Sequence, residues 1–176
     1  MKATLMRLLL LATVLVVSQA NAGWDPDRVA KARAAVAEFR KADPKLDVFF
    51  TKAWGYVVFP DVGKGGMGIG GAYGKGILFE RGRPVGQASL TQLTIGFQFG
   101  GQVYREIIFF RDRKALEDFK SGNFELGAQA SAVAATLGAS ADVGFDNGIA
   151  VFTLAKGGLM YEASVGGQKF SFTPLR

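Results

Sequence analysis

Cysteine and histidine are both absent from this chain of 176 residues. Without cysteine there is no disulfide framework, no thiolate nucleophile and no amino-terminal lipidated cysteine. Without either residue the common structural zinc sites have no ligands, and the imidazole that most often serves as general base is missing. Neither a G-x-x-x-x-G-K-[ST] phosphate loop nor a G-x-S-x-G nucleophile elbow occurs. Catalysis would have to run on carboxylates, lysines and hydroxyls. Glu80, Glu106, Glu125 and Asp142 are the carboxylates considered for an acid–base pair, but uneven spacing suits solvated surface groups better. The chain is read as non-enzymatic, without metal or cofactor, and a hydrolase using Glu106 or Glu125 is the catalytic alternative.

Long apolar runs are equally scarce. One stands near the start, residues 8–17, preceded by Lys2 and Arg7 and followed by Ala20-Asn21-Ala22. A basic start, an apolar stretch of about ten residues and a small-x-small site make a secretory signal peptide, whereas a membrane span needs about 20 residues. Residues 1–22 are therefore expected to be removed, leaving residues 23–176 as a single domain in the periplasm or outside the cell. Loss of Lys2 and Arg7 lowers the net charge from +6 to +4. That balance is mild; it favours anionic surfaces over neutral ones and, with export, argues against nucleic acid.

The periodicities predict an α+β fold: an antiparallel β-sheet or partly closed barrel or sandwich, two amino-terminal helices and one inserted helix. Asp25-Pro26 opens the first helix, with Val29, Ala32, Val36 and Phe39 on one face and Arg28, Lys31 and Arg33 on the other. A second, short helix runs from Pro44 to about Lys52. Residues 56–59 read as a buried strand. Leu93, Ile95, Phe97 and Phe99 alternate with Gln92, Thr94, Gly96 and Gln98, which places the leucine set on the apolar face. Gly100-Gly101 turns into a central strand over 103–110, Asp112 caps the inserted helix, and residues 126–137 read as a strand of small side chains. Strands over 149–154, 159–164 and 169–172 complete a meander.

Glycine is concentrated between residues 54 and 78, where Lys64 and Lys75 each lie between two glycines. Gly63-Lys64-Gly65-Gly66-Met67-Gly68 fits G-x-G-x-x-G, but a glycine-interrupted β pattern follows it instead of a helix, which argues against a dinucleotide site. Two explanations compete: glycines that let a compact sheet bend, and exposed amides around Lys64 and Lys75 that cradle an anionic headgroup.

Gly55-Tyr56-Val57-Val58-Phe59-Pro60, the run from Gly63 to Gly71, Ala72-Tyr73-Gly74-Lys75-Gly76, Phe124-Glu125-Leu126-Gly127 and Gly157-Gly158-Leu159-Met160 together resemble the SYLF family over most of the mature chain. The resemblance implies a lipid-binding module; eukaryotic members bind phosphoinositides and actin, and bacterial members are mostly exported. A signal peptide removes this chain from actin, and Tyr161-Glu162 stands where the family continues with small residues, so actin is not an expected partner. The expected function is peripheral binding to anionic phospholipid or a membrane surface, with Lys64, Lys75, Arg28 and Lys31 as contacts. The alternative is a non-catalytic structural or protein-interaction module of the cell envelope.

Export is tested by mass: the mature protein should begin at Gly23, and a retained Met1 would overturn the assignment.

Overall fold

The structure, a computed structural model, describes residues 26–67, 69–95, 102–127, 135–136, 144–155 and 167–175. Helix α1, Pro26–Ala42, has Asp27 in its first turn and Arg40 and Lys41 in its last, the arrangement that complements the helix dipole. Its buried stripe is Val29, Ala32, Ala35 and Phe39. Ala35 takes the place expected for Val36, which packs half-buried at the margin. The Asp43 carboxylate accepts a hydrogen bond from the Lys45 N–H at 3.0 Å and opens a 3-10 turn, Pro44–Leu46, that leads into α2, Asp47–Lys52.

The four long strands are β1 (Gly55–Met67), β2 (Ile69–Glu80), β3 (Arg83–Ile95) and β4 (Gln102–Phe110). Helix α3, Arg113–Lys120, follows; Asp112 caps it by accepting from the Ala115 N–H at 3.0 Å, as the sequence suggests. Short strands β5 (Glu125–Leu126) and β6 (Ala135–Thr136) precede β7 (Ile149–Ala155) and β8 (Gln168–Pro174). The spatial order is β5-β8-β3-β2-β1-β4-β7-β6, and every pairing is antiparallel except β6 with β7. The last strands therefore do not continue a meander: β7 joins β4 on one side and β8 joins β3 on the other. The expected turn at Gly100-Gly101 and strand over 159–164 lie outside the described residues.

The glycine run is neither a loop nor a string of turns. It forms the facing ends of β1 and β2, with Gly63 opposite Tyr73, Lys64 opposite Ala72, Gly65 opposite Gly71 and Gly66 opposite Gly70. Its amides belong to a sheet ladder, so the open cradle around Lys64 and Lys75 is not formed.

One face of the sheet, with Val58, Ile77, Phe79, Ile107, Phe109 and Phe152, is covered by α1 and α2. The other carries Val57, Phe59, Val62, Leu78, Ile108 and Phe110 and packs against α3. This second face is strongly concave. Between β4 and β8 lie three strands, so a flat sheet would hold the two about 19 Å apart, at roughly 4.8 Å per step. Yet Gln168 of β8 bonds Glu106 of β4 at 2.9 Å, and the Phe59 and Phe170 rings lie 5.8 Å apart. The sheet curls into a partial barrel and fills its own interior.

Glycine makes the curl sterically feasible at two positions. A Cβ at Gly76 would lie 2.5 Å from the Val58 carbonyl oxygen and 2.7 Å from the Phe59 ring, and one at Gly74 would lie 2.8 Å from the Val62 side chain. At Gly63 and Gly65 a Cβ meets nothing within 4 Å. Gly76→Ala should therefore destabilise by at least the 1–3 kcal/mol typical of overpacking, whereas Gly65→Ala should be neutral or stabilise by about 0.4–1 kcal/mol. Urea unfolding of the two variants checks the difference; equal losses would show that the strain is spread over the run and not focused at the bend.

Candidate functional site

Two groups of residues stand apart from ordinary packing, one inside the curl and one outside it. The inner group follows from register. Lys64, Ala72, Gln92 and Gln168 form one cross-strand row over β1, β2, β3 and β8, so their side chains share a face. That face is the concave one. Lys64 is 4 % exposed, Gln92 1 % and Gln168 3 %, and Tyr104 and Glu106 of β4 are buried beside them.

The Gln168 amide donates to the Glu106 carboxyl at 2.9 Å and reaches Gln92 at 3.5 Å, the same distance that separates the Tyr104 hydroxyl from Gln92. Glu106 Oε1 and Gln168 Oε1 are buried with no hydrogen-bond partner among the described residues. Burial raises Glu106 from the ordinary 4.5 to about 7, against the opposing pull of the Gln168 hydrogen bond. Burial, and next the neighbouring Glu106 charge, raise Tyr104 as well. Such a carboxyl is a functional-site candidate on physical grounds. Its companions in the cluster are the Gln92 and Gln168 amides, the Tyr104 phenol and the buried Lys64 amine; Glu125 is exposed and paired with Lys169 at 2.9 Å. Among the described residues no group of three or more aspartates or glutamates could hold a metal ion.

The outer group lies on the helix-covered face, beyond the reach of α1. Tyr73 (52 % exposed), Leu93 (71 %) and Val103 (42 %) project there from β2, β3 and β4. Register puts Tyr73, Gly63 and Val103 in one row and Leu93, Gly71 and Gly65 in the next, so three apolar side chains stand over bare glycine backbone. Leu93 reverses the expectation from alternation. It faces outward and Gln92 faces the interior, because the polar row inside has hydrogen bonds to offer an amide and none to offer leucine.

The four basic residues singled out from the sequence divide between these groups. Lys64 is inside. Lys75 is exposed on the outer face, two residues along β2 from Tyr73 and across from Asp61 in the register. Arg28 of α1 donates to the Gln87 side chain at 2.5 Å, and Gln87 of β3 is a diagonal neighbour of Lys75 across the β2–β3 pair. Lys31 is exposed one turn further along α1. The fold thus brings Arg28, Lys31 and Lys75 to one side and sets Lys64 on the other. Sequence reasoning missed Tyr73, Leu93 and Val103 as a patch, and Gln92 and Gln168 as interior residues; the signal available was the polar residue at every second position beside Leu93.

Glu106 makes stability depend on pH. An acid whose folded pKa is raised binds more protons folded than unfolded, so its favourable contribution is complete below about 4.5 and is lost as pH rises to about 7. The loss is about 3 kcal/mol. Glu106→Gln should flatten this part of the profile, and melting temperatures of both proteins from pH 5 to 8 check it; parallel profiles would show that Glu106 is not the group responsible.

Comparison with known proteins agrees with the SYLF resemblance. Residues 91–173 match the Ysc84 (SYLF) family, described as Las17-binding protein actin regulator. The chain is also 24 % identical over 142 residues to Beta cell expansion factor A of Aeromonas veronii, in a match that covers 79 % of this chain and 53 % of that protein. It thus spans about half the length of that relative. The segment from residue 91 to residue 173, which contains β4, α3, β5, β6 and β7, is thus similar to the Ysc84 (SYLF) family.

Proposed function

We propose that this is an exported, non-catalytic, peripheral lipid-binding protein that meets an anionic phospholipid surface with the outer end of its sheet. The observation that carries the reading is the patch of Tyr73, Leu93 and Val103 beside Lys75, Arg28 and Lys31. Exposed apolar side chains of this size, grouped over a glycine surface and bordered by cations, suit the boundary between headgroups and acyl chains. The lysines and arginine add long-range attraction, each worth about 1 kcal/mol near an anionic surface. The family relationship is consistent with a lipid-binding or protein-interaction module. The actin-regulator role named in the family description is not carried over, because the signal pattern directs this chain out of the cytoplasm.

Lys64 has no part in this surface, and anion capture by free glycine amides is replaced by a flat apolar patch with a basic margin. The same patch would serve a protein partner in the envelope, which is the second reading.

Co-sedimentation with vesicles separates the two. Binding to vesicles containing anionic lipid should fall with salt, and Lys31→Ala/Lys75→Ala should lower it by about 2 kcal/mol, roughly thirtyfold. Tyr73→Ser/Leu93→Ser should weaken binding at every salt concentration. Lys64→Met should leave the salt slope unchanged. Folded protein that ignores all vesicles would exclude the lipid reading and leave the envelope partner.

A further inference from the structure

The two margins of the curled sheet approach each other without joining. Strand β5 ends one margin and β7 lies next to the other, and no ladder links them among the described residues. Between them is a slot of about 220 Å³. Phe124 and Leu126 line one side and Ile149 and Val151 the other. Phe124 is itself fixed by the Phe119 and Phe170 rings, at 5.5 and 5.8 Å.

Gly127 and Gly144 also line it, and a Cβ added to either meets nothing within 4 Å among the described residues. Neither glycine puts a side chain into the space, so a larger residue at either position has room to enter it. Protein interiors seldom leave voids much larger than a water molecule. An apolar cavity of about 150 Å³ stays dry and takes up benzene, so a slot half as large again suits a chain of about eight carbons.

The charges at the lining are of one sign. Among the described residues Glu125 and Asp146 contribute to it and no lysine or arginine does. The Glu125 charge is offset by Lys169 at 2.9 Å, which leaves Asp146 as the acidic group of the mouth. A carboxylate or phosphate entering there would be repelled and would lose its hydration, whereas a hydroxyl or ammonium would be accepted.

We propose that this slot binds a linear alkyl chain of about eight carbons whose polar end is neutral or cationic, the natural source being the end of a lipid acyl chain. For that source it rests on the lipid reading above, but the site is distinct: it lies at the seam of the curl, away from Tyr73 and Lys75.

Octanol, octylamine and octanoate titrated into the mature protein, without vesicles and below their aggregation limits, test it by calorimetry. Octanol and octylamine should bind, and octanoate at least tenfold more weakly. Gly127→Leu and Gly144→Leu, which fill the slot from different parts of the chain, should each weaken octanol binding tenfold or more while leaving the melting temperature and vesicle binding in place. Absence of octanol and octylamine binding to folded protein, or binding untouched by both leucine variants, overturns the slot. Equal affinity for octanoate overturns the assigned charge preference. Alkyl binding without vesicle binding would overturn the membrane reading alone, and vesicle binding without alkyl binding the slot alone.

Discussion

The curl of the sheet around Phe59 is the constraint on which the rest of the molecule depends. Gly74 and Gly76 leave room on β2 for Val62 and Phe59 of β1, and the register slip between Val58 and Asp61 adds the local bend that an irregular ladder allows. With that room, β8 reaches across the interior to β4, Phe170 meets Phe59, and α3 can pack Phe119 against Phe110 at 4.9 Å. A side chain at Gly76 would press against backbone, which cannot rotate away as a flexible side chain can. The concave core, the polar cluster at its end and the slot at its seam all follow from this one allowance.

Curling divides the sheet into two chemical surfaces. Inside, the aromatic and aliphatic core gives way to Lys64, Gln92, Tyr104, Glu106 and Gln168. Their burial has a thermodynamic cost, visible in the raised Glu106, because the hydrogen bonds they share do not replace all those that water would offer. Outside, α1 and α2 cover only part of the opposite face, and the uncovered end displays Tyr73, Leu93 and Val103 over glycine backbone. Glycine serves both sides, but at different positions: Gly74 and Gly76 admit the bend, whereas Gly63, Gly65 and Gly71 put no side chain between Tyr73, Leu93 and Val103 on the outer surface.

Much of the architecture was legible in the residues. Apolar spacing and charge placement located α1, Asp112 located α3, alternation located the end of β3, and short apolar segments located strands within β1, β4, β7 and β8. The glycine motifs pointed to the family that residues 91–173 match. The candidate site was legible only in part. Arg28, Lys31 and Lys75 share a side of the molecule, but Lys64 was grouped with Lys75 because both stand between glycines. Their faces depend on how β1 and β2 pair, through a hairpin and a slipped register that glycine side chains do nothing to specify.

What the sequence determined by itself was local: helix positions, capping, strand-forming segments, the absence of histidine and cysteine chemistry, and the family resemblance. What only the tertiary structure decided was which side of each strand is inside. Alternation reports that two faces differ, and solvent normally takes the polar one; at Gln92 and Leu93 the order is reversed because Gln168 pairs with Gln92 across β3 and β8, and the curl then brings Tyr104 and Glu106 of β4 to the same two amides. A pattern confined to neighbouring residues carries no information about partners that a bend across five strands brings together.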